Sequence, residues 1–148
     1  MKLHLPAVLR DVVVEAAETA FPRECCGLVE GVQDGEDFHA TALHPAHNIA
    51  EAPDRFEIAP ADHIAASKSA RRRGHRLIGC YHSHPDGRAR PSAQDLAGAG
   101  EENFLWLIAA TGAGRPELAA FVYRPSGFEE VVLNEGADLV TSSSNERS

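Results

Sequence analysis

The chain has 148 residues, 43% hydrophobic and 24% charged, ordinary globular values that exclude a disordered, collagenous or coiled-coil protein. Fourteen Lys and Arg against 22 Asp and Glu leave a net charge of −8, which opposes nonspecific binding to a nucleic-acid backbone.

Three cysteines, two of them adjacent (Cys25 and Cys26), make no disulfide framework. No apolar run approaches the roughly 18 residues of a membrane span, and the N-terminus lacks a signal-peptide pattern. A cytoplasmic single domain is expected.

In chain order, Leu9, Val12, Val13, Ala16 and Ala20 recur at helical spacing and predict an amphipathic helix over about 6–20. Pro6 fits its first turn and Pro22 ends it. CCGLVEGV (25–32) reads as a short apolar strand. The turn signal Gln33-Asp34-Gly35 joins it to a second strand over 36–44. Residues 44–53 read as a loop, 55–58 as a short strand, and 60–73 as a helix stopped by Gly74. The continuous apolar run RLIGCYHSH (76–84) predicts a buried central strand. A loop rich in Pro, Gly and Arg (85–91) leads into a short helix from Ser92. Three further strands are expected over 104–111, 117–124 and 128–133. The polar stretch 134–148 is expected to fray, leaving 1–133 as the domain. Helices among mostly hairpin-connected strands indicate an α/β sandwich of the α+β kind.

Most of the eight histidines carry no pattern. His44 and His47 share a loop three residues apart, a weak metal signal. His82 and His84 differ, because residues i and i+2 of a strand project from one face, so the end of an apolar strand presents two imidazoles side by side. On its own this could be a solvated strand end. Downstream, however, stand Ser92-Ala93-Gln94-Asp95. Two neutral histidines and a carboxylate make a three-ligand zinc set with a fourth position open to water, the composition of catalytic rather than structural sites. Ser92-x-x-Asp95 also reads as a capping box, which sets Asp95 in a helix first turn where it can face the histidines.

His82-Ser-His84-Pro-x6-Ser92-x2-Asp95 resembles, without departure, the signature of the JAMM (MPN+) metallopeptidase family. Glu24-Cys25-Cys26-Gly27-Leu28 resembles that family's upstream glutamate element. The resemblance spans residues from about 5 to 133 and looks like the compact prokaryotic branch. It implies a single-domain JAMM/MPN fold, a cytidine-deaminase-like mixed sheet flanked by helices. It also implies one Zn2+ with a bound water, held by His82, His84 and Asp95, with Glu24 as general base and Ser92 as oxyanion donor. Glu30 and Glu57 are rival carboxylates outside the motif. The implied reaction is hydrolysis of the amide bond after the Gly-Gly tail of a ubiquitin-like or sulfur-carrier protein, or release of an amino acid from such a carrier. Neither nucleic acid nor membrane is an expected partner, and the sequence leaves the oligomeric state open. The alternatives are a non-catalytic MPN-type binding module and a RadC-like DNA-associated protein. A zinc nucleoside deaminase would need His-x-Glu and Pro-Cys-x-x-Cys, which are absent.

Overall fold

The computed structural model describes residues 1–112, 114 and 116–137. Among the described residues seven strands and three helices follow one another as β1 (Lys2–Pro6), α1 (Ala7–Ala20), β2 (Cys26–Asp34), β3 (Asp37–Ala46), α2 (Pro60–Arg72), β4 (Arg76–His84), α3 (Ala93–Gly98), β5 (Leu105–Ala110), β6 (Glu117–Arg124) and β7 (Gly127–Ala137). The strands form one mixed sheet in the order β1-β3-β2-β4-β5-β6-β7, and a parallel pairing of β1 with β7 closes it into a barrel. Pairing is parallel between β4 and β5, and antiparallel along β3-β2-β4 and β5-β6-β7.

The alternation of side chains along the strands builds two cores. Leu3, Leu5, Val29, Phe38, Tyr81, Leu105, Leu107 and Val122 pack with Val13 and Ala17 of α1. On the opposite face Leu28, Cys80 and Trp106 pack under Ala66 of α2, with Phe56, Ile58 and Phe104 at their margin. Cys80 and Trp106 are thus core residues, as their strand positions predict.

The expected mixed sheet flanked by helices is therefore present, with three differences. Residues 2–6 form β1, where only a helix starting at about residue 6 is expected. Leu3 and Leu5 alternate with His4 in too short a run to register as a period, yet both are fully buried. Residues 55–58 form no strand. Ile58 makes a single bridge to Asn48, and the side chain of Asn48 takes the backbone groups a neighbouring strand would have used. β7 runs to Ala137, four residues past its expected end, because β1 pairs with it as far as that residue. Residues 138–148, most of the stretch expected to fray, lie outside the described residues.

Two glycines are needed where they stand. Gly74 takes φ +74° just past α2, where the amide of His75 donates back to Ala70 and closes the helix end. A Cβ on Gly27 would lie 2.3 Å from the Tyr81 ring, so only glycine lets β2 approach β4 beside the Glu24 segment. Among the described residues no helix is long and apolar enough to cross a membrane.

Candidate metal centre

The five residues singled out from the sequence converge at the ends of β2 and β4 and the start of α3. β4 delivers His82 and His84 from one face of its last turn of pleat, both buried. Ser83, between them, faces the other way and receives the Cys25 amide on its hydroxyl oxygen (2.8 Å). The capping box sets the third arm. Ser92 Oγ accepts from the Asp95 amide (3.1 Å), and Asp95 Oδ2 accepts from the Ser92 amide (2.9 Å). Asp95 is thereby turned inward and is itself buried.

Three atoms then meet. His82 Nε2 lies 3.0 Å from His84 Nε2, and Asp95 Oδ2 lies 3.2 Å from the first and 3.0 Å from the second. His84 Nδ1 is 2.8 Å from the Arg88 carbonyl, which can only accept, so Nδ1 carries the hydrogen and the Nε2 of a neutral His84 is a bare lone pair. A lone pair facing a carboxylate oxygen and a second imidazole nitrogen needs a hydrogen or a metal ion among them. A tetrahedral ion bound at about 2.0–2.1 Å spaces its ligand atoms about 3.3–3.4 Å apart, close to the separations found. The donor set therefore fits a metal. Glu24 joins it, with ligand atoms of Glu24, His82 and His84 lying within 4.8 Å of one another.

Electrostatics divide the cluster. Burial would raise the Asp95 carboxyl, but its hydrogen bonds with His82 and His84 outweigh burial and hold it well below the usual carboxylate range. Burial lowers His82, whereas the hydrogen bonds of His84 to Asp95 and Arg88 overcome burial and raise it. Glu24 is pushed up to about 7 by burial, only partly opposed by His84. Among the described residues its Oε1 is buried with no hydrogen-bond partner, as is His82 Nδ1.

Two cavities flank the three converging atoms. One, of about 420 Å³, is lined by Glu24, His84 and Ser92 with Pro22, Pro53, Asp54, Pro85, Asp86 and Gln94. The other, of about 390 Å³, is largely aromatic and aliphatic (Leu28, Phe56, Ile58, Phe104 and Trp106), with Asp95 in its wall. Residues 47–59 run between them as a strap. Pro53 and Asp54 line the first cavity, whereas 44–46, expected as part of the loop, belong to β3. Phe56 stacks on His82 with ring centroids 4.3 Å apart, and Trp106 meets the same imidazole edge-on at 5.6 Å.

The weaker expectations resolve elsewhere. His44 turns to Glu30 (2.8 Å) and His47 to Asp62 (2.9 Å), so the pair shares no ligand position. Arg73 binds Glu30 through two nitrogens (2.9 and 2.6 Å). Sequence reasoning missed Asn48 and Phe56. Both lie on irregular backbone where no period marks them, and the available signal was an asparagine between Pro45 and Pro53.

A closed mixed barrel that carries two imidazoles and a carboxylate to one point beside a lone buried carboxyl defines a compact α/β domain able to hold a metal ion. The sequence matches the model of prokaryotic homologues of the JAB domain over residues 6–123, and the chain belongs to this compact prokaryotic JAMM/MPN family. The desampylase of Haloferax volcanii is 32% identical over 112 residues, 72% of this chain and 79% of that protein. The tail tip assembly protein K of Escherichia phage N15 is 30% identical over 105 residues, 70% of this chain but only 39% of that protein. A solution structure from Desulfitobacterium hafniense superposes with TM-score 0.84 at 28% identity, covering 96% of this chain and 97% of that one. Another, from Salinibacter ruber, gives 0.66 at 38% identity over 90% and 91%.

Proposed function

We propose that this protein is a zinc-dependent isopeptidase that cleaves the amide bond after the C-terminal Gly-Gly of a ubiquitin-like or sulfur-carrier protein. The observation that carries the reading is the convergence of His82 Nε2, His84 Nε2 and Asp95 Oδ2 within 3.2 Å, beside a buried Glu24 whose Oε1 has no partner. Kinship with a desampylase over 72% of the chain supports the isopeptidase class.

In this reading His82, His84 and Asp95 hold the zinc. When bound, zinc makes hydroxide available near neutral pH by lowering the pKa of a water from 15.7 to about 7, and it polarises the scissile carbonyl. Glu24 takes the proton of the attacking water and returns it to the leaving nitrogen. In the metal-free protein burial raises its carboxyl to about 7, and a positioned carboxyl of this kind serves as a general acid–base group. The Ser92 oxygen already accepts from the Asp95 amide, so its O–H is free to donate to the carbonyl oxygen as charge develops there. One such donor is worth roughly 2.7–4 kcal/mol. Glu24 lines the first cavity and is absent from the second, so the leaving amine departs on the Asp54 and Asp86 side. The extended carrier tail lies against the strap and the aromatic cavity, held by main-chain hydrogen bonds.

The test is elemental analysis of the untagged protein beside cleavage of a carrier–Gly-Gly fusion. One zinc per chain, lost in His82→Ala, with cleavage stopped by chelation, is the expected result. Glu24→Gln keeps its zinc and loses turnover. Failure to bind zinc after loading overturns the reading and favours a non-catalytic binding module. Near wild-type turnover in Glu24→Gln removes Glu24 as the base.

A further inference from the structure

The peptide unit that follows Glu24 is gripped from both sides by side chains. Its carbonyl, Glu24 O, accepts from Asn48 Nδ2 at 3.0 Å, and its amide, Cys25 N, donates to Ser83 Oγ at 2.8 Å. The Ser83 amide also donates to Cys25 O at 3.2 Å, so the next peptide is tied to β4 as well. Glu24 precedes β2, and Cys26 is the first residue of that strand, so the ladder alone does not fix the Glu24–Cys25 peptide. Two further facts give these contacts meaning. Ser83 is the residue between His82 and His84, so one arm of the grip is built into the strand end that carries both imidazoles. Asn48 spends every hydrogen-bonding position of its amide on backbone. Nδ2 reaches Glu24 O and Arg55 O, while Oδ1 accepts from Ala50 N and Glu57 N. The other arm is therefore the strap, whose Phe56 stacks on His82.

We infer that Asn48 and Ser83 are positioning residues that clamp the Glu24–Cys25 peptide plane and so fix the Glu24 carboxylate against His82 and His84. The inference rests on the proposed role of Glu24 as general base. A carboxylate with no hydrogen bond at Oε1 has nothing of its own to hold it, and its aim is set through its backbone. A misplacement of about 1 Å in a reacting group costs on the order of a hundredfold in rate. The strap that walls both cavities is tied by the same amide that holds Glu24, so cleft shape and base position are set together.

Asn48→Asp and Ser83→Ala test the clamp. The first keeps both acceptor contacts of Oδ1 and loses both donors; the second removes the hydroxyl. In the zinc-loaded protein both variants are expected to keep one zinc per chain and an unchanged KM on a Gly-Gly fusion, while kcat falls about 10- to 100-fold. Hydrogen exchange read by NMR, with and without zinc, is expected to quicken at the Cys25 amide at least tenfold. The amides of Val29 and Leu107, in the core strands, should stay protected. In a Glu24→Gln background neither variant lowers the residual rate further, because both act through Glu24. The clamp is overturned by a Cys25 amide that stays protected, by an unchanged kcat, or by exchange that quickens equally at Val29 and Leu107. Should Ser83→Ala fail to fold, Asn48→Asp, on half-buried and irregular backbone, carries the same test. A Glu24→Gln protein with wild-type turnover would instead sink the base assignment beneath it.

Discussion

Two glutamates buried six positions apart meet opposite fates. Glu30, fully buried within β2, accepts from Arg73 twice (2.9 and 2.6 Å), from His44 (2.8 Å) and from His75 (2.6 Å). Those bonds, the Arg73 pair foremost and against the opposing effect of burial, hold its carboxyl down at about 2. Glu24, almost as buried, leaves Oε1 without a partner and is pushed up to about 7. Burial therefore does not by itself decide which way a carboxyl is shifted; the supply of donors does. An unpaired buried polar group costs stability and persists only where its surroundings over-determine it. Here the surroundings are the hydrogen bonds of Asn48 and Ser83 to the backbone around Glu24.

Four measurements would break or sharpen that contrast. The largest effect is expected at Glu24. Glu24→Gln should lower turnover by about 10²- to 10⁴-fold, the usual worth of a positioned acid–base group, read in a fusion-cleavage assay. Next, Arg73→Ala should lower stability in denaturant unfolding, because it removes the main partner of a buried carboxylate. Activity at a temperature where the variant stays folded should hold. An Arg73→Ala protein as stable as wild type would mean that His44 and His75 alone suffice.

The third measurement is stability against pH, where the two glutamates carry opposite signs. Glu30 has a folded pKa below its unfolded value near 4.5, so its contribution is present above about pH 4.5 and fades as pH falls toward 2. That contribution is of order 2 kcal/mol after discounting for a half-exposed Arg73, and Glu30→Gln should flatten the curve in that window. Glu24 has a raised folded pKa, so metal-free protein loses stability as pH rises from about 4.5 to 7. Glu24→Gln should therefore be the more stable form at pH 8 and no different at pH 4. The smallest effect belongs to the third candidate carboxylate, exposed Glu57. Glu57→Gln should change stability by no more than about 0.5 kcal/mol and leave zinc content untouched.

The convergent core of the site was legible because it is local. His82, His84, Ser92 and Asp95 fall within 14 residues, and strand alternation with a capping box is enough to aim them at one point. Glu24 lies far upstream and stood out only through a family resemblance. The grip of Asn48 was illegible, since a strap held by side-chain hydrogen bonds has no period to read. The Arg73–Glu30 pair joins a helix end to a strand 43 positions away, and three consecutive arginines do not announce which one turns inward. β1 escaped notice for the same reason on a larger scale: Leu3 finds its partner at Leu133, a pairing no window along the sequence can contain.

That last pairing also governs the order in which the protein can be made. Of the described strands β1 leaves the ribosome first and, on its β7 side, is the last to be seated, since β7 is the final one in chain order. Until then its fully buried Leu3 and Leu5 lack most of their cover, with only two residues of β1 paired to β3. Such late, distant closure slows folding and leaves apolar edge exposed to neighbouring nascent chains. The histidine strand, the capping box and the clamp on Glu24 are all complete in sequence by Asp95, so the metal-capable centre is synthesised well before the barrel that encloses it can close.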